Sequence, residues 1–112
     1  MRLIRFLGMT AISGIVAIAT LVSTARAEDE HFDVATSKGQ ITVTPKTGWH
    51  INLDYSWAVK KGSDKVKTKD DFKLDKASAT VTGVPAGVVT VRGAVCSESA
   101  CAPFTKDNVT VP

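Results

Sequence analysis

Between Trp49 and Lys60, apolar and polar residues alternate with a period of two. Trp49, Ile51, Leu53, Tyr55, Trp57 and Val59 share one parity, while His50, Asn52, Asp54, Ser56 and Lys60 share the other, with Ala58 the one apolar residue among them. A strand that buries one face needs this spacing, because successive side chains leave a pleated backbone on opposite sides. The pattern predicts a single continuous strand over residues 49–60.

Weaker versions of the same signal recur along the chain. Phe32 to Ser37 and Gln40 to Thr44 flank Lys38-Gly39 as the arms of a hairpin, and Pro45 to Gly48 then turns into the Trp49 strand. Ala77 to Thr82 is rich in Thr and Val and runs into Gly83-Val84-Pro85-Ala86-Gly87. Val88 to Cys96 sets Val89, Val91 and Val95 on one face, and Phe104 to Val111 closes the sequence with Val109 and Val111 alternating against Asn108 and Thr110. No interval of ten or more residues after the amino-terminal apolar run has good helical periodicity. Six or seven short strands separated by turn signals predict an all-β sandwich.

Lys60 to Lys76 interrupts this rhythm with seven lysines and four aspartates, and Val66, Phe72 and Leu74 are its only large apolar residues. Such a run reads as a solvated loop or as an edge strand whose lysines oppose edge-to-edge pairing. Binding to single-stranded nucleic acid would require interleaved aromatics for stacking, and Phe72 stands alone there. Glu28-Asp29-Glu30 reads as a frayed acidic tail.

Composition changes the picture at the amino terminus. Met1 to Ala27 has the three parts of a secretory signal: Arg2 and Arg5, an apolar stretch from Phe6 to Val22, and Ala25-Arg26-Ala27 before an acidic start. The expected cleavage follows Ala27. The competing reading is an uncleaved anchor, but seventeen residues reach only about 25 Å, and Gly8, Thr10, Ser13, Gly14 and Thr20 dilute the stretch. Arg2, Arg5 and Arg26 all precede Glu28 and no acidic residue does, so the net charge of +3 resides in the leader. The remaining chain carries 11 basic and 11 acidic groups, which excludes a basic nucleic-acid binder on net charge. It is also too short for two domains, since a chain of this size buries only about 60 to 65% of its unfolded surface. The expectation is a periplasmic or secreted domain with no membrane span once the leader is gone.

Two cysteines, Cys96 and Cys101, flank Ser97-Glu98-Ser99-Ala100. If the strands before and after them form a hairpin, both sulfurs meet at its mouth, because opposed residues in a non-hydrogen-bonded pair lie about 4.5 Å apart at Cα. Such a bridge closes a short loop and stabilises by only about 2 kcal/mol in the chain-entropy model. That placement favours an exchangeable bridge over a staple, although hairpin disulfides without chemistry are ordinary in secreted domains. Glu98 would raise a neighbouring thiol pKa, whereas Arg92 and Lys106, if they lie across the hairpin, would lower it. A zinc site from Cys96, Cys101, His31 and His50 satisfies a ligand count but not a ligand spacing. His50 reads instead as a surface or hydrogen-bonding residue. Cys-x-x-Cys, phosphate loops and nucleophile elbows are absent from the sequence. No cofactor or metal is expected.

Two segments resemble a known family. Thr47-Gly48-Trp49-His50-Ile51-Asn52 is similar to the GWH strand start of the periplasmic domain at the amino terminus of DsbD-type thiol:disulfide interchange proteins and of related disulfide bond corrector modules. Val89 to Val111, reading VTVRGAVCSESACAPFTKDNVTV, resembles that domain's closing hairpin, in which two cysteines a few residues apart precede a Pro and an alternating strand. The resemblance covers most of Gln40 to Pro112. It implies an immunoglobulin-like sandwich whose redox pair is Cys96 and Cys101, with Pro103 shaping the strand after the second cysteine and Phe72 a candidate cap over the bridge, the alternative for Phe72 being an ordinary core residue. It also implies periplasmic thiol and disulfide proteins as partners. Because the sequence has neither the family's membrane segment nor its thioredoxin-like domain, a membrane thiol reductase would act in trans. The alternative is a non-enzymatic sandwich, a binding or envelope-structural module whose bridge only fixes the hairpin.

Overall fold

The structure, a computed structural model, describes residues 25–112, with side chains from Asp29 onward. The leader expected over residues 1–27 therefore lies almost wholly outside the described residues. Ten strands follow one another: β1 (Ala25–Glu28), β2 (Phe32–Ser37), β3 (Gln40–Pro45), β4 (His50–Ile51), β5 (Ala58–Lys61), β6 (Asp64–Lys67), β7 (Phe72–Asp75), β8 (Ser78–Thr82), β9 (Gly87–Cys96) and β10 (Cys101–Val111). A 3-10 turn at Lys69–Asp71 joins β6 to β7. Among the described residues no helix is long and apolar enough to cross a membrane.

The strands form two antiparallel sheets, ordered β1-β2-β3-β8-β7 and β10-β9-β5-β6, with β4 pairing β9 beyond the end of β5. Alternation within each strand decides what lies between the sheets. Phe32 and Val34 of β2, Ile41 and Val43 of β3, Ala79 and Val81 of β8, and Val89, Val91 and Val95 of β9 are all buried in one apolar core. Aromatic rings close its open side: Phe32 stacks on Phe104 with centroids 4.1 Å apart, and Trp57 meets Phe72 at 5.6 Å and the Phe104 edge at 5.8 Å. Burying a side chain of this size stabilises by about 1.5–3 kcal/mol, and β-branched residues carry much of the total because they fit a pleated surface. The all-β sandwich expected from the pattern is therefore what forms. Its strands outnumber six or seven because short edge segments and an interrupted strand are invisible to periodicity.

The interruption is the main correction. Residues 49–60 are not one strand. Ile51 pairs with Val95 and Val59 with Val91, so eight residues on one side span the length of four on β9. Asn52 to Trp57 loop out of the sheet. Asn52 Oδ1 accepts a hydrogen bond from the Asp54 amide at 2.9 Å, and the Trp57 indole Nε1 donates to the Asn52 carbonyl at 2.8 Å, which ties the loop across its base. The physical reason is Gly93 on β9. A Cβ there would lie 2.2 Å from Trp57 Cζ3, so the indole rests directly on the glycine backbone and the chain detours to bring it there. Leu53, on the expected core parity, is 40% exposed in the loop, whereas Trp57 is 1% exposed.

The charged segment resolves into two edges. Its β6 borders one sheet and its β7 the other, and both present lysines, the expected defence of an unpaired edge. The third edge, β10, is blunted differently. Register slips by one residue between Lys106 and Val109, with Asn108 at a φ of 59°, and Pro103 faces Ala94. Cys101 and Pro103 share a parity, and a proline two residues from a non-hydrogen-bonded pair also sits where its missing N–H would have pointed away from β9.

Glu28-Asp29-Glu30 is not a frayed tail. Glu28 pairs with Asp33, the Asp29 amide donates to the Phe32 carbonyl at 2.8 Å, and Asp29 Oδ2 lies 3.7 Å from Lys106 Nζ of β10. These contacts make a tight β1–β2 turn against the other sheet.

Candidate functional site

β9 and β10 form the hairpin expected around the cysteines. Cys96 and Cys101 face each other in the register with Cα atoms 3.9 Å apart, and the sulfurs are bonded. The loop between them is closed by the Ser97 amide donating to the Ala100 carbonyl at 2.7 Å, and by Ser97 Oγ accepting from the Ala100 amide at 3.2 Å. The Ser97 hydroxyl therefore satisfies main-chain groups that the turn would otherwise leave exposed.

Alternation fixes where the bridge lies. Val89, Val91 and Val95 point into the core, so Cys96 leaves the opposite face of β9, outside the sandwich. Its environment is asymmetric: Cys96 is 7% exposed, whereas Cys101 is exposed. The bridge borders an open groove of about 450 Å³ lined by His50, Asn52, Leu53, Asp54, Lys76 and Ser97 along with the two cysteines and Ile51. His50 arrives there because it pairs with Cys96 on β4. Lys76 arrives because its carbonyl accepts from the Ile51 amide at 3.0 Å, which joins the β7–β8 turn to β4.

The charges expected near the sulfurs are placed elsewhere. Arg92 pairs with Ala58 and Thr105 and reaches the Tyr55 hydroxyl at 3.4 Å, and Lys106 faces Asp29. Neither lines the groove, whose charged side chains are Asp54 and Lys76, one of each sign. Phe72 is a core residue, 8% exposed and tilted against Trp57; it is not among the groove-lining residues. Pro103 stands on β10 two residues beyond the bridge, on the same face as Cys101. His31 stacks on Trp49 with centroids 3.9 Å apart, a contact on the other side of the type II turn that Gly48, at φ 90°, permits between Lys46 and Trp49.

Sequence reasoning found the two sulfurs and missed the wall beside them. Leu53 and Asp54 fit the alternation of a strand, and the Asn-x-Asp spacing inside the alternating run is the signal that the strand breaks there.

Comparison with protein-family models, with curated proteins and with solved structures returned no match.

Proposed function

We propose that this chain is a secreted or periplasmic thiol:disulfide exchange module whose reactive pair is Cys96 and Cys101. The observation that carries the reading is the redundancy of the bridge. It joins two residues already held opposite each other by a hairpin that is paired from Cys101–Cys96 to Val111–Gly87, and it lies outside the core. Opening it forfeits about 2 kcal/mol and leaves the β9–β10 pairing in place, so the fold tolerates both redox states. An incoming thiolate from a partner attacks Cys101, the exposed member. The Cys101–Cys96 bond breaks, Cys96 leaves as a thiolate, and a mixed disulfide joins Cys101 to the partner. A second partner thiol then attacks that bond, leaving two thiols here and a disulfide on the partner. The same steps in reverse pass electrons onward to a disulfide substrate.

The resemblance to the amino-terminal domain of DsbD-type interchange proteins supports the same reading. So does strand order: β2-β3-β8-β7 opposite β10-β9-β5 follows the ABED and GFC sheets of immunoglobulin-like domains. On this reading the donor is a membrane thiol reductase acting in trans, and the acceptors are thiol or disulfide proteins of the same compartment.

The test is the reduction potential together with trapping. A value of about −230 mV or higher suits exchange, whereas one below about −300 mV marks a structural bridge in a non-enzymatic sandwich. Cys96→Ala should accumulate mixed disulfides through Cys101 in a periplasmic extract, and Cys101→Ala should accumulate none. Absence of trapped partners with both variants folded would assign the bridge to structure alone.

A further inference from the structure

Cys96 is flanked on both sides of β9: Cys101 faces it from β10 and His50 faces it from β4. The two pairings differ in kind. The Asn52 amide donates to the Ala94 carbonyl at 3.0 Å, and these two residues stand opposite each other one step beyond the Ile51–Val95 pair, so they form a hydrogen-bonded pair. Bonded pairs recur at every second residue. His50–Cys96 is therefore bonded as well, and Cys96–Cys101 is the unbonded pair, in agreement with its Cα separation of 3.9 Å. Ile51 and Val95, the neighbouring pair, are buried in the core, so His50 and Cys96 both leave the outer face, where both border the groove. Opposed Cβ atoms lie about 5.5 Å apart in such a pair, a gap that an imidazole can span.

Attack at the exposed Cys101 sends the electron pair of the broken bond to Cys96, which is buried. Burial disfavours a thiolate, and a poorly stabilised thiolate is a poor leaving group. We infer, on the exchange reading, that His50 supplies the proton this step needs. As the sulfur–sulfur bond breaks, protonated His50 transfers a proton to Cys96 Sγ, which becomes the thiol, and the neutral imidazole regains a proton from water in the open groove. In the reverse direction neutral His50 takes the Cys96 proton, and the resulting thiolate attacks the mixed disulfide at Cys101 and releases the partner's thiolate. The other charged and titratable groups nearby are placed differently. Asp54, from the loop after β4, and Lys76, from the β7–β8 turn, also line the groove. Asp75 accepts from the Ala77 and Ser78 amides, and His31 stacks on Trp49. Lys46, in the turn before β4, and Glu98, in the hairpin loop, are not among the lining residues, and β3 and β8 carry no charged residue. Lys76 is thus the one competing cation at the groove.

The test uses glutathione, a thiol that reduces an accessible disulfide whatever the protein's own partner. Its rate with the oxidised protein, divided by the glutathione thiolate concentration at each pH, should rise about tenfold between about pH 8 and pH 5, the interval of imidazole chemistry. Mass spectrometry after acid quenching should find the glutathione adduct on Cys101. His50→Gln should flatten the profile at its slow limit with an unchanged near-ultraviolet circular dichroism spectrum. His50→Thr, a residue suited to a strand, replaces it in the same measurement if the glutamine variant does not fold. Lys76→Ala should keep the inflection. A profile unchanged by loss of His50, an inflection lost with Lys76→Ala instead, or an adduct on Cys96 would each overturn the assignment. Trapped partners with a profile indifferent to His50 would sink the proton donor and spare the exchange reading, whereas a His50-dependent profile without trapped partners would do the opposite.

Discussion

β9 is held at two places by opposite means. At Gly93 the hold is packing: the Trp57 indole fills the space a side chain would take. At Cys96, three residues on, the hold is a covalent bond on the outer face, beside an open groove. The first can be removed only by rearranging the core, whereas the second can be opened and remade with the core untouched. Covalency is therefore no guide to which contact the fold depends on. A noncovalent contact at full burial outweighs a sulfur–sulfur bond that closes a turn.

Four changes would break or sharpen that contrast. Trp57→Ala should cost the most, about 3–5 kcal/mol in denaturant unfolding, because it empties the core beside two aromatic neighbours, Phe72 and Phe104, and cuts the tie across the Asn52 loop. Gly93→Ala should follow at about 3 kcal/mol from overpacking. If the clash is its cause, most of that cost should vanish when Gly93→Ala is introduced into the Trp57→Ala background, a coupling readable in a double-mutant cycle. Reducing the Cys96–Cys101 bond should cost about 2 kcal/mol, lowering the melting midpoint by on the order of 10 °C while leaving the near-ultraviolet signal of Trp57 in place. A loss of that signal on reduction would mean the two holds are one. Leu53→Ser, in the loop between them, should move stability by no more than about 0.5 kcal/mol in the same melt.

How far these features could be read from the sequence varies along the chain. β2, β3, β8 and β9 lie within about a residue of where alternation put them, since each is half-buried and period two is the direct imprint of one buried face. The cysteine hairpin was equally legible, because four residues between two strands leave little choice of geometry. Leu53 and Tyr55 were misread for a definite reason: they satisfy the parity of a strand, and only the distant Gly93 shows that the chain must leave the sheet to deliver Trp57. Phe72 is a cap only by the family resemblance, whereas the other reading of it, an ordinary core phenylalanine, is what the fold shows. In the fold its strand, β7, is an edge of the sheet opposite β9, and the ring turns inward to Trp57.

Local alternation and turn residues thus determined, without further help, that the chain is built of strands, where most of them run and that its two sulfurs meet. Tertiary structure decided which face of β9 carries the bridge, that Arg92 and Lys106 serve other partners, and that His50, Asp54 and Lys76 border the sulfurs instead. The reason is range. Periodicity reports what one residue and its near neighbours require, whereas the walls of a groove come from segments that only the packing of two sheets brings side by side.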